Sequence, residues 1–295
     1  MRTFHASAGF TLIEAIVVIV VLAILSSVVA VFISGPVNAY FQSAARAELA
    51  DIADTTLRRM ARDLRLAVPN SVRVTVADAS TFLEFVPTLS GGQYLRRDAC
   101  FTAGGCASIT ALAGALPNLA DGAIDGNRLS LYNLNNNGAG DCADEAPSIY
   151  CNGGGANANA ATITGHAAAV DGTTGSAQLT LSFANTVFHP SRGLSSPGQR
   201  FQVAAGPVTY ACTPATVGDN GTGTLRRFQG YGLSAAQPTA FAGAGNLMAG
   251  NVSNCIITYA DGVLGNRGLV TLWLQLMRNG ERVSLFHQVH VDNTP

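Results

Sequence analysis

A glutamate, Glu14, lies in the stretch GFTLIEAIVVIVV, where nearly every neighbour is apolar. A charged side chain at the centre of a membrane helix costs about 2.5–3.5 kcal/mol on insertion scales and ordinarily has a partner. The chemistry such a carboxylate can do there is charge pairing. Gly9 stands before the apolar run and Phe10 opens it. A protease cutting after Gly9 removes a short polar leader and leaves the apolar helix on the mature chain. An ordinary secretory signal has the opposite order, with its small-residue cleavage site after the apolar stretch.

Other residue types narrow the chemistry further. All 17 basic residues are arginine, which removes Schiff-base lysines and the phosphate-binding lysine of a P-loop. A net charge of −1 with 12% charged residues supplies no field for gathering a polyanion, so nucleic acid is not an expected partner. No GxSxG elbow or P-loop occurs, and Gly243-Ala-Gly245 runs into Asn-Leu-Met rather than completing a dinucleotide fingerprint after a strand. No enzyme and no cofactor is expected. Asn133 to Asp144 places oxygen side chains and a glycine, Gly138, near the positions of an EF-hand calcium loop. Position 1 is Asn, position 12 is Asp, and neither flank reads as a helix, so an Asn/Gly loop without metal is the expectation.

Six cysteines, Cys100, Cys106, Cys142, Cys151, Cys212 and Cys255, all follow the apolar run and contain no CxxC pair. That pattern favours disulfides in an oxidising compartment over a metal site. Fifteen connectivities exist in principle; local pairing of Cys100 with Cys106 and Cys142 with Cys151 is expected, with Cys212–Cys255 as a staple between strands.

Several elements must position these groups. Ala15 to Ile33 contains only Ser26 and Ser27 as polar residues and matches the roughly 20 apolar residues that cross a bilayer. Arg2 before it weakly orients the amino terminus to the cytoplasm and the rest outside. Ser34-Gly35-Pro36 predicts a kink or a melted turn. Leu49, Ala53, Leu57, Met60 and Leu64 then recur at helical spacing, and the helix should stop before Pro69. Its polar face, with Arg46, Arg58, Arg59, Arg62 and Arg65 among Glu48, Asp51, Asp54 and Asp63, reads mainly as a solvated surface, with an Asp54–Arg58 pair.

Beyond Pro69, short β-prone runs alternate with Gly, Asn, Ser and Pro. Expected strands are 72–76, 81–86, 128–132, 178–183, 200–203, 208–212, 224–228, 255–259, 269–277 and 282–291. They predict an antiparallel sheet on the carboxy-terminal half of the helix, an α+β head, with most long loops between Gly91 and Gly175. LVTLWLQLM and RVSLFHQVHV around Asn279-Gly280 form the strongest hairpin signal. Val283, Leu285, His287, Val289 and Val291 share one face and His290 the other, so the two histidines do not suit one metal.

Gly9-Phe10-Thr11-Leu12-Ile13-Glu14 resembles the class III signal of type IV pilins and type II secretion pseudopilins. The resemblance implies prepilin peptidase as a partner, cutting between Gly9 and Phe10 and methylating Phe10. It implies that Glu14 pairs with the Phe10 amine of a neighbouring subunit during assembly. SGPVNAYFQSAARAELADIADTTLRRMARDLRLAVPNSVRV, RFQVAAGPVTYAC, NCIITYADG and VSLFHQVHVDNTP resemble the O-component family of minor pilins of the mannose-sensitive haemagglutinin (MSHA) pilus biogenesis system. The organisation so implied is a leader at 1–9, a membrane and filament-core helix at 10–33, an amphipathic continuation at 34–68 and an extracytoplasmic head at 69–295. Other major and minor pilins and an inner-membrane assembly platform are the implied further partners. The implied place is the inner membrane with a periplasmic head, then the filament. A minor pseudopilin of type II secretion and a tip adhesin for a surface or glycan are the alternatives.

Overall fold

The computed structural model describes residues 9–95, 107–112, 124–136, 148–151, 159–183, 196–262 and 267–295. The chain divides after Glu48 into two compact units. A helix, α1 (Leu12–Arg65), belongs to both.

In the first unit no residue from Gly9 to Ala44 is buried. Of the expected kink or melted turn at Ser34-Gly35-Pro36, the melted turn is absent: α1 stays helical through Pro36. Proline has a helix-compatible φ and lacks one donor, a loss that membrane helices tolerate when neighbouring groups re-satisfy the backbone. Ser34 Oγ donates back to the Val31 carbonyl at 3.0 Å, as Ser27 does to Ile24 at 2.7 Å.

The second unit begins with the amphipathic end of α1, which buries Leu49, Ala53, Leu57, Met60 and Leu64 at the spacing the sequence shows. The helix ends before Pro69, as expected, with Arg62 and Arg65 in its last turn. Thereafter the strands are β1 (Arg73–Ala77), β2 (Ser80–Phe85), β3 (Thr88–Gln93), β4 (Ser108–Leu112), β5 (Arg128–Ser130), β6 (Ala160–Val170), β7 (Ala177–Phe183) and β8 (Arg200–Ala204). They continue as β9 (Val208–Thr213), β10 (Thr216–Val217), β11 (Asn220–Gly221), β12 (Gly223–Gln229), β13 (Asn246–Ala260), β14 (Arg267–Arg278) and β15 (Glu281–Asp292).

A seven-stranded sheet runs β1-β2-β9-β12-β13-β14-β15, with every pairing antiparallel. Its inner face packs on α1, where Leu57 and Met60 meet a core containing Tyr210, Leu225, Ile257, Leu272 and Val289. This is the expected α+β architecture. A second, six-stranded sheet, β3-β8-β5-β6-β7-β4, has its own core around Ile109, Leu129, Ile163, Leu181 and Phe201. The sequence expectation of a single sheet, with most long loops over 91–175, is therefore corrected: β4 and β6 lie in that region beside β5, which answers the expected strand 128–132. A smaller cluster sets Val68, beyond the end of α1, and Val86, just past β2, with Tyr150 and with Ala160 and Ala204 of the second sheet.

The β14–β15 turn has positive φ at Asn279 (51°) and Gly280 (79°), the two-residue turn that suits the twist of a hairpin. It fixes the register from Arg278 opposite Glu281 to Arg267 opposite Asp292.

Candidate assembly site

The amino-terminal group of residues is organised by the start of α1. Thr11 precedes the first helical residue, Leu12; the Glu14 N–H donates to Thr11 Oγ1 at 3.3 Å, and the Ala15 N–H donates to the Thr11 carbonyl at 3.1 Å. Thr11 is thus an N-cap and Glu14 the third helical residue, the spacing of a capping box. A carboxylate in the first turn also faces the positive end of the helix dipole. The Thr-x-x-Glu spacing is the signal of this cap that the sequence carries. Gly9 and Phe10 lie just outside the helix and are exposed, Phe10 by 73%. The apolar surface that follows is uncovered, none of its most apolar window being buried. Among the described residues this is the one helix long and apolar enough to cross a membrane.

In the head, Cys212 of β9 and Cys255 of β13 form a disulfide with Cα atoms 6.7 Å apart. It joins the two strands that flank β12. Cys151 is buried and disulfide-bonded, while the expected Cys100–Cys106 and Cys142–Cys151 pairings lie outside the described residues.

The calcium-like loop looks different once its first residue is placed. Asn133 is fully buried, and its Oδ1 accepts from the Ile149 N–H at 2.7 Å and from Asn159 Nδ2 at 3.0 Å. Its Nδ2 donates to the Pro69 carbonyl at 2.7 Å. Both acceptor positions of that amide oxygen are therefore taken by protein donors, which leaves it no part in a calcium shell. Asn70 continues the chain of contacts, donating through Nδ2 to the carbonyls of Asn133 (2.9 Å) and Asn293 (3.1 Å). Asp141 and Asp144 lie outside the described residues. Among the described residues no group of three His, Cys, Asp or Glu side chains is placed to hold a metal.

Sequence reasoning missed a buried polar network. Arg73 and Glu84, directly opposite on β1 and β2, pair at 2.6 Å with almost no exposure. The Arg73 guanidinium also donates to the carbonyls of Ala235 (2.7 Å) and Ser234 (2.9 Å) and sits 3.6 Å from the centre of the Tyr150 ring. Tyr231 donates to Glu84 Oε1 at 3.0 Å and shares a further hydrogen bond with Thr209. Burial raises the Glu84 carboxyl above its ordinary pKa, and the charge and hydrogen bond of Arg73 pull the other way. Burial also raises the Tyr231 phenol, reinforced by the Glu84 charge. A charge of each sign on adjacent strands was the available signal. The network ties the 231–237 segment and Tyr150 to the sheet.

The helix face is only partly the solvated surface expected. Asp54 and Arg58 do pair, at 2.6 Å. Asp63 instead turns to the sheet, accepting from Tyr210 Oη at 2.7 Å and Arg227 Nε at 3.1 Å. His287 lies on the inner face of β15, half-buried beside Arg58, Arg62 and Arg65, whereas His290 is exposed on the outer face. The structure does not bring the two histidines together.

Comparison with curated proteins and with solved structures finds no match. Residues 4–30 match the family model of the prokaryotic N-terminal methylation motif, and this class III signal, on an apolar helix followed by an antiparallel β head, supports a type IV pilin-like chain.

Proposed function

We propose that the chain is a minor pilin-like structural subunit of an MSHA-type type IV pilus, acting at the initiation or tip of assembly. Prepilin peptidase cuts it between Gly9 and Phe10 and methylates Phe10, and the Glu14 carboxylate then pairs with the Phe10 amine of a neighbouring subunit. The apolar helix holds the chain in the inner membrane with the head in the periplasm until it enters the filament.

The observation that carries this reading is the exposed start of α1. Gly9, Phe10 and Glu14 sit together at the mouth of a helix whose apolar surface nothing among the described residues buries. Bilayer first, and neighbouring helices afterwards, supply the missing cover. The head supports a terminal position: a unit holding a seven-stranded and a six-stranded sheet is bulky to repeat along a thin shaft. Immunogold labelling of sheared pili tests the position. Label confined to filament ends is expected, and uniform label along the shaft contradicts it.

A further inference from the structure

The two edges of the seven-stranded sheet differ. At β1 the edge is only five residues long and is dressed by side chains: Asn136 Nδ2 donates to the neighbouring Val72 carbonyl at 2.8 Å, and Thr75 Oγ1 donates to Gln237 at 2.8 Å. The opposite edge, β15, runs for 12 residues and, among the described residues, pairs on one side alone. Its two-residue turn makes Arg278–Glu281 the closing hydrogen-bonded pair, so every second residue from Arg282 turns its N–H and C=O away from β14. Ser284, Phe286, Gln288 and His290 are in this set. Among the described residues no hydrogen bond reaches those outward backbone groups.

Two surfaces meet at this edge. On the outer face, Ile256, Trp273 and Phe286 form a cross-strand row over β13, β14 and β15, with Ile256 51% and Phe286 59% exposed. Polar rows flank it, including Gln275 donating to Ser284 at 3.0 Å. On the inner face, a groove of about 610 Å³ between α1 and β15 is lined by Arg58, Arg62, Arg65 and His287. Asp54 offsets Arg58, while Arg62 and Arg65 have no ion pair among the described residues. Their place in the last helical turn complements the helix dipole, but that explains neither the open edge nor the apolar row.

We infer that β15 is a docking edge that accepts an acidic, extended segment of a different filament subunit as an eighth strand. Alternation defines its chemistry. Side chains facing inward meet the arginine groove and are acidic; those facing outward extend the Ile256–Trp273–Phe286 row and are apolar. A second copy of this chain does not fit, because symmetric edge pairing brings two arginine grooves together. That the donor is a filament subunit rests on the function proposed above.

The chain's one tryptophan, Trp273, reports on this edge. Full-length protein in detergent micelles is titrated with an alternating Glu-Val peptide of about ten residues, or with its Lys-Val counterpart, and Trp273 fluorescence is followed. Saturable binding of the Glu-Val peptide, at least about tenfold tighter than Lys-Val, is expected. Gln288→Pro removes an outward N–H without touching the β14 ladder, and it should weaken binding at least about tenfold while the unfolding transition stays in place. Arg62→Glu with Arg65→Glu should reverse the peptide preference. Equal binding of both peptides, no binding, or wild-type binding by Gln288→Pro overturns the inference. In piliated cells Gln288→Pro should be processed normally and depleted from sheared filaments. Normal incorporation overturns the subunit assignment. Absence of the wild-type chain from filaments instead defeats the proposed function, and the peptide titration still judges the edge.

Discussion

Thr11 and Glu14 are joined across the first turn of α1, the Glu14 N–H donating to Thr11 Oγ1 at 3.3 Å. That bond uses the Glu14 backbone, while its side chain stands at the third helical position, where a capping box places Glu or Gln, besides the intermolecular role proposed for its charge. Glutamine can complete a capping box as well as glutamate, but it carries no charge for a neighbour's amine. Glu14→Gln should consequently be cleaved normally and incorporate as poorly as Glu14→Ala. Quantifying processed protein in membranes and in sheared filaments checks this, and near-normal incorporation of the glutamine variant assigns Glu14 to capping alone. Thr11→Ala should cost only about 1 kcal/mol of helix stability.

Arg73→Met leaves the Glu84 carboxylate buried with Tyr231 as its remaining support. Removing one member of a buried pair typically costs about 3–5 kcal/mol, and denaturant unfolding should show a loss of that order. The pH dependence has a definite sign. Burial already raises the folded-state pKa of Glu84, and losing Arg73 raises it further. A raised carboxyl contributes most below its unfolded value and loses that contribution as pH rises through the folded one. As pH rises above the ordinary carboxylate range, the variant should lose stability more steeply than wild type; parallel pH profiles contradict the pairing.

Cys212 and Cys255 close 43 residues of chain separation. Replacing both with serine should cost about 2–5 kcal/mol, the usual range for a native disulfide. Leu57, Met60 and Leu225 pack beside the bridge, so the loss should reach the seat of the helix on the sheet. Hydrogen exchange in 49–65 should accelerate in the variant; unchanged protection there separates the disulfide from helix docking.

Asn133→Ala orphans the Ile149 N–H, the Pro69 carbonyl and one contact of Asn159. Each unsatisfied buried group costs about 1–3 kcal/mol, so a loss of at least about 2 kcal/mol is expected on thermal or denaturant unfolding. Calcium at millimolar levels should leave the wild-type transition unmoved, because the Asn133 oxygen is already filled. A calcium-dependent rise in Tm that Asn133→Ala abolishes contradicts this role.

Regular pattern made much of the fold legible. The four-four-three-four spacing of Leu49 to Leu64 marked the buried helix face, and the alternation in RVSLFHQVHV put Val283 to Val291 inside and His290 outside. Of the second sheet, β5, β7 and β8 answer the expected strands 128–132, 178–183 and 200–203, while the remaining strands were hidden for local reasons. β6, AATITGHAAAV, is alanine-rich with little alternation, and β3, TLSGGQ, carries two glycines that read as a turn. The first half of β13 escaped because Gly250 and a register shift between Val252 and Asn254 interrupt its period. The Asn133 contacts were invisible in another way, since Pro69 lies 64 residues away in sequence. The methylation motif over 4–30 was legible because it is contiguous in sequence.

The sharpest measurement is intact and peptide mass spectrometry of the chain recovered from sheared filaments. The protein should begin at Phe10, lack residues 1–9 and carry one methyl group on its terminal amine. A chain that begins at Met1, or one cut downstream of Ile33 so that the apolar helix is lost, contradicts the assembly role proposed for this protein.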